Sequence, residues 1–326
     1  MRDTDYAYAV AYTRTFENRM LQKSDYESLL AAHSFEEALH YLLDKGYGGK
    51  LDLGHDLSLE AVLRSESTYA WGEVRGACPK NAPIDILLYQ NDFHNLKAAI
   101  KSVFSGTAFG SLALEPCSVP PDEVYRAVAE GKPEFLPEIF VKPAAEARHT
   151  LAVTGDGQLA EIVLDKALFS AICEVANRSK SVFLAGWVDL NIAIMDMKIA
   201  LRGAHGGKHR DFLLGSMLEC KRIDVRSLSD AAVLGAADVI GVFAHSGFEG
   251  AAAAARESTA AFDRWCDNEL IRYVRPVRHR IFGFEPILGF LVGKQVELQE
   301  VRIILSGLKN GIPSDAIRER LRDTYV

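Results

Sequence analysis

The sequence predicts an all-α protein. Apolar residues recur at helical spacing in most segments, alternating strand patterns with hairpin turns are scarce, and no strand-turn-helix unit indicates a parallel sheet. The chain has 326 residues, of which 48% are hydrophobic and 25% are charged, as in ordinary globular proteins. This composition excludes disordered, collagen-like and polytopic membrane proteins, and it leaves a helical globular fold.

Start and stop signals place three short helices at the beginning of the chain. The segment Ala7 to Leu21 lacks glycine and proline, and Ser24 precedes acidic residues that suit the first turn of a second helix. Ser34 and Glu37 form a capping-box pattern for a third helix, Phe35 to Leu43. Glycines shortly after this segment end the third helix.

Two longer helices follow, Asp56 to Val74 and Ile84 to Phe104, and Pro79 and Pro83 separate them. The second of these carries apolar residues at helical spacing, which predicts one buried stripe along its length. The stripe consists of Ile86, Phe93, Leu96, Ile100 and Val103.

The net charge indicates which partners the protein can bind, and the cysteine content indicates the redox state of its cellular compartment. The 37 basic and 44 acidic residues give a net charge of −7, so the whole molecule lacks the basic field that non-specific nucleic-acid binding requires. No CxxC motif occurs, and an odd, scattered set of cysteines is typical of reduced packing residues in a cytosolic protein. The cysteines are Cys78, Cys117, Cys173, Cys220 and Cys266.

Membrane and export signals are expected to be absent. Asp3 and Asp5 stand where a signal peptide requires basic charge. The most apolar windows, Ala231 to Ala244 and Phe282 to Gly293, are shorter than the roughly 20 residues of a spanning helix. We therefore expect any association with a membrane to depend on a partner, and we expect the Phe282 to Gly293 stretch to pack between lobes of the protein.

An internal repeat of about 100 residues is the most informative feature of the chain. Three segments each begin with a polar or acidic residue, continue with an apolar and a basic residue, and are followed by a glycine. A second pair of segments, about 200 residues apart, supports the same unit. The three segments are Asn95-Leu-Lys-Ala-Ala-Ile-Lys101, Asp196-Met-Lys-Ile-Ala-Leu-Arg202 and Glu300-Val-Arg-Ile-Ile-Leu-Ser306, and the pair is Leu42 to Gly49 with Phe243 to Gly250.

The repeat predicts three helical lobes, residues 1–110, 111–207 and 208–326. The predicted junctions have the composition of loops. Ser105 to Pro121 is rich in glycine, serine and proline, and Gly203 to Gly207 is a flexible turn.

No segment of the sequence matches a complete catalytic or metal-binding motif among those compared below. Gly206-Gly207-Lys208 resembles part of a phosphate-binding loop, but Arg202 replaces its first glycine and His209 replaces the hydroxyl residue that would hold magnesium. His205 and His209 lie four residues apart without the glutamate of a helical zinc site. The sequence also lacks the GxSxG and GxGxxG patterns. We therefore expect no catalytic residue, no cofactor and no metal ion.

A basic residue occupies the same place in every repeat, and two explanations for it stay open. Cations near the C-terminus of a helix are stabilised by its dipole, by about 0.3–1 kcal/mol. Like charges four residues apart cost about 0.2–0.5 kcal/mol, so the doubled cations gain little from the dipole alone. If the three helices converge, their five cations would instead attract an acidic partner. The candidate docking residues are Lys97, Lys198 and Arg302, with Lys101 and Arg202 one turn further on.

Several segments resemble the C subunit of the archaeal and bacterial V/A-type ATPase (ATP synthase), whose eukaryotic counterpart is the d subunit of the V-ATPase. The resemblance covers essentially the whole chain, and one departure is Gln295, where the family usually has an acidic residue. The segments are Tyr6-Ala-Tyr-Ala-Val-Ala-Tyr-Thr-Arg14, Asp92-Phe-His-Asn-Leu-Lys97, Asp189-Leu-Asn-Ile-Ala-Ile-Met-Asp-Met-Lys-Ile-Ala-Leu-Arg202, Gly283-Phe-Glu-Pro-Ile-Leu-Gly-Phe-Leu-Val-Gly-Lys294, Arg302-Ile-Ile-Leu-Ser-Gly307 and Leu321-Arg-Asp-Thr-Tyr-Val326.

The resemblance implies a protein without chemistry of its own. It implies three similar helical lobes around a pseudo-threefold axis, which form a funnel. Its narrow side would sit on the membrane rotor ring, and its mouth would receive the shaft made by the D and F subunits, so that torque couples ATP turnover to proton or sodium transport. It also implies a cytoplasmic, peripheral protein that reaches the membrane only through the ring, with no nucleic-acid partner and no small-molecule substrate. The five repeated cations would then line or rim the funnel.

Two other classes of function remain open at this point. A helical lyase or hydrolase could form its active site between lobes, from polar groups that no linear motif reveals. A generic α-repeat adaptor could bind other proteins and would lack affinity for membranes that contain the rotor ring.

Overall fold

The computed structural model describes residues 2–48 and 58–326, and these residues form helices and connecting segments without a β-strand. The predicted all-α class is therefore confirmed. Short 3-10 helices lie at Asp3–Tyr6, Pro83–Leu87, Pro133–Phe135 and Arg275–His279. The α-helices are α1 (Ala7–Glu17), α2 (Lys23–Ala31), α3 (Phe35–Asp44), α4 (Leu59–Ala77), α5 (Tyr89–Ser105), α6 (Pro121–Ala129), α7 (Glu138–Thr154), α8 (Gly157–Ser179), α9 (Val182–His205), α10 (Arg210–Ser216), α11 (Val225–Leu234), α12 (Ala236–His245), α13 (Glu249–Glu257), α14 (Thr259–Val274), α15 (Glu285–Lys309) and α16 (Ser314–Arg318).

The chain divides into two compact units. The first unit joins the two ends of the chain, Met1–Ile84 and Gly247–Val326, and the second unit is the continuous stretch Asp85–Ser246. The three lobes at 1–110, 111–207 and 208–326, and their arrangement as a funnel, stay predictions beside this division.

The first three helices follow their predicted starts closely. Helix α1 begins at Ala7 and ends at Glu17, four residues before the predicted end. Helix α2 begins at Lys23 rather than after Ser24, because the Gln22 amide donates to the carboxylate of Asp25 and so fixes the first turn.

The capping signal of α3 is correct in one of its two bonds. The Glu37 amide donates to Ser34 Oγ over 3.1 Å, as a capping box requires. The Glu37 carboxylate accepts from the amide of His33 instead of that of Ser34. Both bonds fix the start of α3 at Phe35.

The two longer helices differ more from the sequence prediction. The predicted start at Asp56 and the repeat residue Gly49 lie outside the described residues, and α4, Leu59–Ala77, is capped by Ser58. The predicted helix from Ile84 is interrupted, because Pro83 opens a separate 3-10 turn that the Leu88 amide closes on Asp85 O. Its predicted stripe is buried at Ile86, Phe93, Leu96 and Ile100, whereas Val103 is half-buried.

Helix α15 forms the centre of the first unit. It packs against α1, α2, α3, α4, α14 and α16, and most of its side chains are buried, apart from an exposed stripe at Gln295, Arg302 and Lys309. The first part of α15 is apolar and belongs in a protein core, and the stretch predicted from Phe282 is buried here from Phe284 to Gly293, apart from the half-buried Glu285. Its first residue, Phe282, is exposed. Packing of this stretch between lobes stays a prediction.

The close approach of the C-terminal segment to α15 depends on Gly293, and Gly293→Ala is expected to lower the free energy of unfolding by about 1–3 kcal/mol. An added Cβ would overlap the ring base of Tyr325 and lie 2.6 Å from Tyr325 Cβ, an atom that cannot rotate away. Gly72→Ala is the matched control, since no atom lies within 4 Å of its added Cβ, and it should be neutral or stabilising by up to about 1 kcal/mol. Urea unfolding measures both variants, and equal stability of the two would contradict this account.

None of the helices in residues 2–48 and 58–326 combines the length and the apolar character that crossing a bilayer requires.

Candidate docking site

The first pair of predicted docking cations lies on α5 in the second unit. Lys97 is half-buried and its ammonium group pairs with the carboxylate of Asp165 on α8. Lys101, one turn further on, is exposed. The helix ends at Ser105 and its last turn contains no basic residue, so the helix dipole does not explain these two cations.

The second pair lies on α9, also in the second unit. Lys198 is half-buried, and Arg202, near the end of the helix, is exposed. Because α9 ends at His205, Arg202 falls in the last turn, where the dipole stabilises a cation, and Lys198 does not. Helices α5 and α9 both pack against α8, so the structure brings these four cations into one unit.

The fifth predicted cation, Arg302, lies on α15 in the first unit. Its guanidinium forms a two-bond pair with Glu60 of α4, with 3.2 Å from Nε to Oε1 and 2.8 Å from Nη2 to Oε2. Both side chains are about half exposed or more, and such surface pairs contribute about 0–1 kcal/mol. Convergence of all five cations on a single docking surface stays a prediction.

Sequence reasoning missed the residue two positions before each cation, which is buried in every repeat. We call Asn95, Asp196 and Glu300 the latch residues, and they are 0%, 0% and 1% exposed. Each forms a hydrogen bond with the backbone of a non-helical segment about 20 residues further along the chain. We call these segments the straps, namely residues 112–119, 217–224 and 319–326.

The first latch residue is an amide whose two polar atoms are both satisfied. Asn95 Nδ2 donates to Leu114 O over 3.0 Å, and its Oδ1 accepts from the Leu114 amide over 2.8 Å. A second residue of the same helix, Asp92, accepts from the amides of Ser118 and Val119 in the same strap. The strap is therefore fixed to α5 at two points.

The second and third latch residues are carboxyls with only one satisfied oxygen each. The Leu218 amide donates to Asp196 Oδ1 over 3.1 Å, and the Arg322 amide donates to Glu300 Oε2 over 2.8 Å. Asp196 Oδ2 and Glu300 Oε1 are buried and have no hydrogen-bond partner. The nearest cation to Glu300 Oε1 is Arg322 Nη1, at 3.9 Å.

Burial sets the proton affinity of both carboxyls. It raises the pKa of Asp196 to about 7, against the opposing effect of the Leu218 amide. It also raises the pKa of Glu300 to about 7, where the Arg322 amide and guanidinium oppose it and the charge of Asp267 adds to it. Burial likewise raises the pKa of Asp92, although three hydrogen bonds from Ser118 and Val119 oppose it.

A buried ion cluster in the first unit contains the lysine of the Gly-Lys segment. Lys294 Nζ lies 2.6 Å from Glu66 Oε1 and 2.6 Å from Glu297 Oε1, and all three side chains are largely buried. Glu297 also accepts from the Tyr47 hydroxyl and the Leu21 amide. Burial lowers the pKa of Lys294, but the charges of Glu297 and Glu66 outweigh it and hold that pKa above its ordinary value. The hydrogen bonds of this cluster stay within the unit, so its arrangement suits fold stability.

The next feature is the arrangement of possible metal ligands among the residues that the structure describes. Within those ranges, no group of three or more His, Cys, Asp or Glu side chains is arranged to hold an ion. His205 Nδ1 lies 2.8 Å from Leu201 O of its own helix, and His209 is exposed beyond the end of that helix.

Comparisons with known proteins agree on one family over nearly the whole chain. The family model described as the ATP synthase (C/AC39) subunit matches residues 9–320. The V-type ATP synthase C subunit of Thermus thermophilus is 24% identical over 334 residues, which covers 97% of this chain and 98% of that protein. The A-type ATP synthase C subunit of Methanothermobacter thermautotrophicus is 25% identical over 350 residues, which covers 97% of this chain and 87% of that protein.

Proposed function

Since the chain belongs to the family of ATP synthase (C/AC39) subunits, a family of non-catalytic stalk subunits, we propose that it is the central-stalk socket of a rotary V/A-type ATPase. In this role it joins the rotor shaft, made of the D and F subunits, to the rotor ring in the membrane. It transmits torque between ATP turnover and proton or sodium transport. The observation that carries the proposal is the family match across residues 9–320.

A torque-transmitting protein has to resist deformation, and the packing of both units supports this requirement. Helix α15 is largely buried and is tied to neighbouring elements by the Lys294 cluster. The straps are fixed to α5, α9 and α15 by the latch residues. Close-packed interiors have low compressibility and transmit strain, which is the mechanical property that a socket needs.

The repeated cations supply a chemical basis for binding the shaft. Lys101 and Arg202 lie on two helices of the same unit, and the helix dipole explains neither the cations of α5 nor the position of Lys198. Four cations at repeated positions in one unit of a protein with a net charge of −7 favour an acidic partner for that unit. We propose that Lys97, Lys101, Lys198, Arg202 and Arg302 contact the shaft.

Reversing the charge of the α9 cations tests this docking surface. Lys198→Glu combined with Arg202→Glu is expected to weaken binding of the D and F subunits at least tenfold, or about 1.4 kcal/mol, while the melting temperature falls by only a few degrees. A pull-down titration with the purified D and F subunits measures the affinity. The matched control is Lys132→Glu, which reverses the charge of an exposed lysine outside the three repeated segments and should leave the affinity unchanged. Unchanged affinity in a folded double variant would refute the docking surface.

The position in the membrane complex needs a separate experiment. We propose that the protein is peripheral, lies on the cytoplasmic face, and reaches the membrane only through the rotor ring. Purification of the tagged chain from solubilised membranes should then recover ATPase subunits, including the ring. Recovery of unrelated proteins without ATPase subunits would favour a generic adaptor instead.

A further inference from the structure

The three latch residues hold their straps in the same way but differ in whether they can ionise. In the first repeat Asn95 cannot ionise, and both of its polar atoms have partners in the strap. In the other two repeats the latch is an acid, and one oxygen of Asp196 and one of Glu300 is buried without a hydrogen bond. A buried, half-satisfied carboxyl is tolerated when neutral and is costly when charged.

From this geometry we propose that Asp196 and Glu300 are proton-dependent latches: each holds its strap while it is protonated and favours release of the strap once it ionises. The strap is the element that must move, because it covers the carboxyl and consists of non-helical backbone. Opening residues 217–224 or 319–326 hydrates the charge without unfolding α9 or α15. The proposal concerns the chain itself and does not depend on its role in a rotary ATPase.

The surroundings of Asp196 contain few groups that could stabilise its charge. The other acid on α9 is Asp189. It already accepts a hydrogen bond from the Lys221 amide and pairs with Arg222 over 3.4 Å. In the strap, the thiol of Cys220 donates to Ile223 O, and burial raises its pKa, with smaller contributions from the charges of Asp189 and Asp196. The buried side chains of α10, α11 and α12 are apolar apart from Ser229, whose hydroxyl donates to Val225 O.

From α8, Cys173 completes the titratable groups around this part of α9. Burial raises the pKa of its thiol, and the charge of Asp189 adds to that increase. A neutral thiol cannot compensate a carboxylate. The carboxyl of Asp196 therefore has one strong partner, the Leu218 amide, and loses that partner when the strap opens.

Glu300 lies in a more charged environment, and its latch should accordingly be weaker. In the strap, Arg322 Nη1 is 3.9 Å from Glu300 Oε1, but Arg322 Nε is already paired with Asp267 of α14 over 3.1 Å. On α15 the neighbouring acid Glu297 is committed to Lys294. From α2, Tyr26 has a hydroxyl whose pKa is raised by burial and by the charges of Glu297 and Glu300, so it remains neutral.

The remaining elements around Glu300 add no free cation among the residues described. The buried residues of α3 and α16 are apolar. From α1, Glu17 is occupied by Arg14 and by the hydroxyl of Tyr325, and from α4, Glu66 is occupied by Lys294. The negative charge of an ionised Glu300 is thus compensated only in part, by the amide and guanidinium of Arg322 in the strap that it holds.

Hydrogen exchange of the strap amides tests the latches in the full chain. After correction for the intrinsic pH dependence of exchange, protection of the Leu218 amide should fall by about tenfold per pH unit between pH 5 and pH 7 and level off above pH 8. The same fall, smaller in size, is expected for the Arg322 amide. Asp196→Asn should remove the fall at Leu218 and leave that at Arg322, and Glu300→Gln should do the reverse.

Equal pH profiles in the wild type and in the matching amide variant would overturn the proposal. Carbon-13 NMR titration of the Asp196 and Glu300 carboxyls in the unmodified protein provides the second measurement, which does not depend on variants that fold. Titration near pH 7 supports the latches. Titration near pH 4, with protection independent of pH, overturns them.

Discussion

Replacement of Lys294 by methionine is expected to lower the free energy of unfolding by about 3–5 kcal/mol, the usual cost of removing one partner from a buried ion pair. The variant leaves Glu66 and Glu297 facing each other without a cation, and both are largely buried. Methionine has a similar volume, so the loss reflects charge rather than a cavity. Chemical denaturation at pH 7 measures the effect.

The pH dependence of this variant identifies the cause of its instability. Without Lys294, the negative charges of Glu66 and Glu297 face each other with no cation between them. Acid removes this repulsion, so part of the missing stability should return as the pH falls toward about 4. Gln295→Met, at the exposed neighbouring position, is the control and should change the free energy of unfolding by less than about 0.5 kcal/mol. A deficit that stays constant from pH 4 to pH 8 would indicate a packing defect instead.

The fold was predictable where local physical rules act on neighbouring residues. Ser34 caps α3 because its hydroxyl reaches an amide three residues away, and that geometry is encoded locally. The start of α2 was misplaced because a glutamine served as its cap, outside the usual set of capping residues. The break after Pro83 was also local, but an uninterrupted apolar stripe masked it.

The latch residues are harder to predict from the sequence than the fold, because the repeated cation is the most conspicuous residue of each repeat. The cation attracts attention, yet Arg302 is a surface partner of Glu60, whereas Glu300 two residues earlier is buried and holds a strap. The available signal was the polar residue at the start of each repeat within an otherwise apolar helix face. Its partner is a backbone amide about 20 residues away, and backbone partners leave no residue-type signal in a sequence.

The lysine cluster shows a second limit of sequence reasoning. Lys294, Glu66 and Tyr47 are far apart in the chain, and nothing in their local patterns predicts that they meet. Charged residues are usually exposed, so a lysine in an apolar stretch was interpreted only as part of a family motif. Burial of the lysine became evident from tertiary packing around α15.

The largest pH effect is expected from the two latch carboxyls together, because the folded state binds their protons more tightly than the unfolded state. Burial raises the pKa of Asp196 from an ordinary 3.8, and that of Glu300 from an ordinary 4.5, to about 7 in each case. Their stabilising contribution is therefore complete below about pH 4, declines as the pH rises, and is lost above about pH 7. With about 1.4 kcal/mol per pKa unit, each carboxyl should remove roughly 2–3 kcal/mol of stability between pH 5 and pH 8.

Asp196→Asn combined with Glu300→Gln should abolish this decline, since neither amide ionises and Asn95 shows that an amide satisfies the same position in the first repeat. We expect the double variant to be close to the wild type at pH 5 and more stable at pH 8, by a few kcal/mol at most if both amides find partners. Urea unfolding at both pH values measures the difference. Because the two carboxyls lie in different units, each single variant should account for its own share of the effect. A double variant whose stability falls between pH 5 and pH 8 as steeply as that of the wild type would show that the two carboxyls ionise without cost, and the unpaired oxygens of Asp196 and Glu300 would then need another explanation.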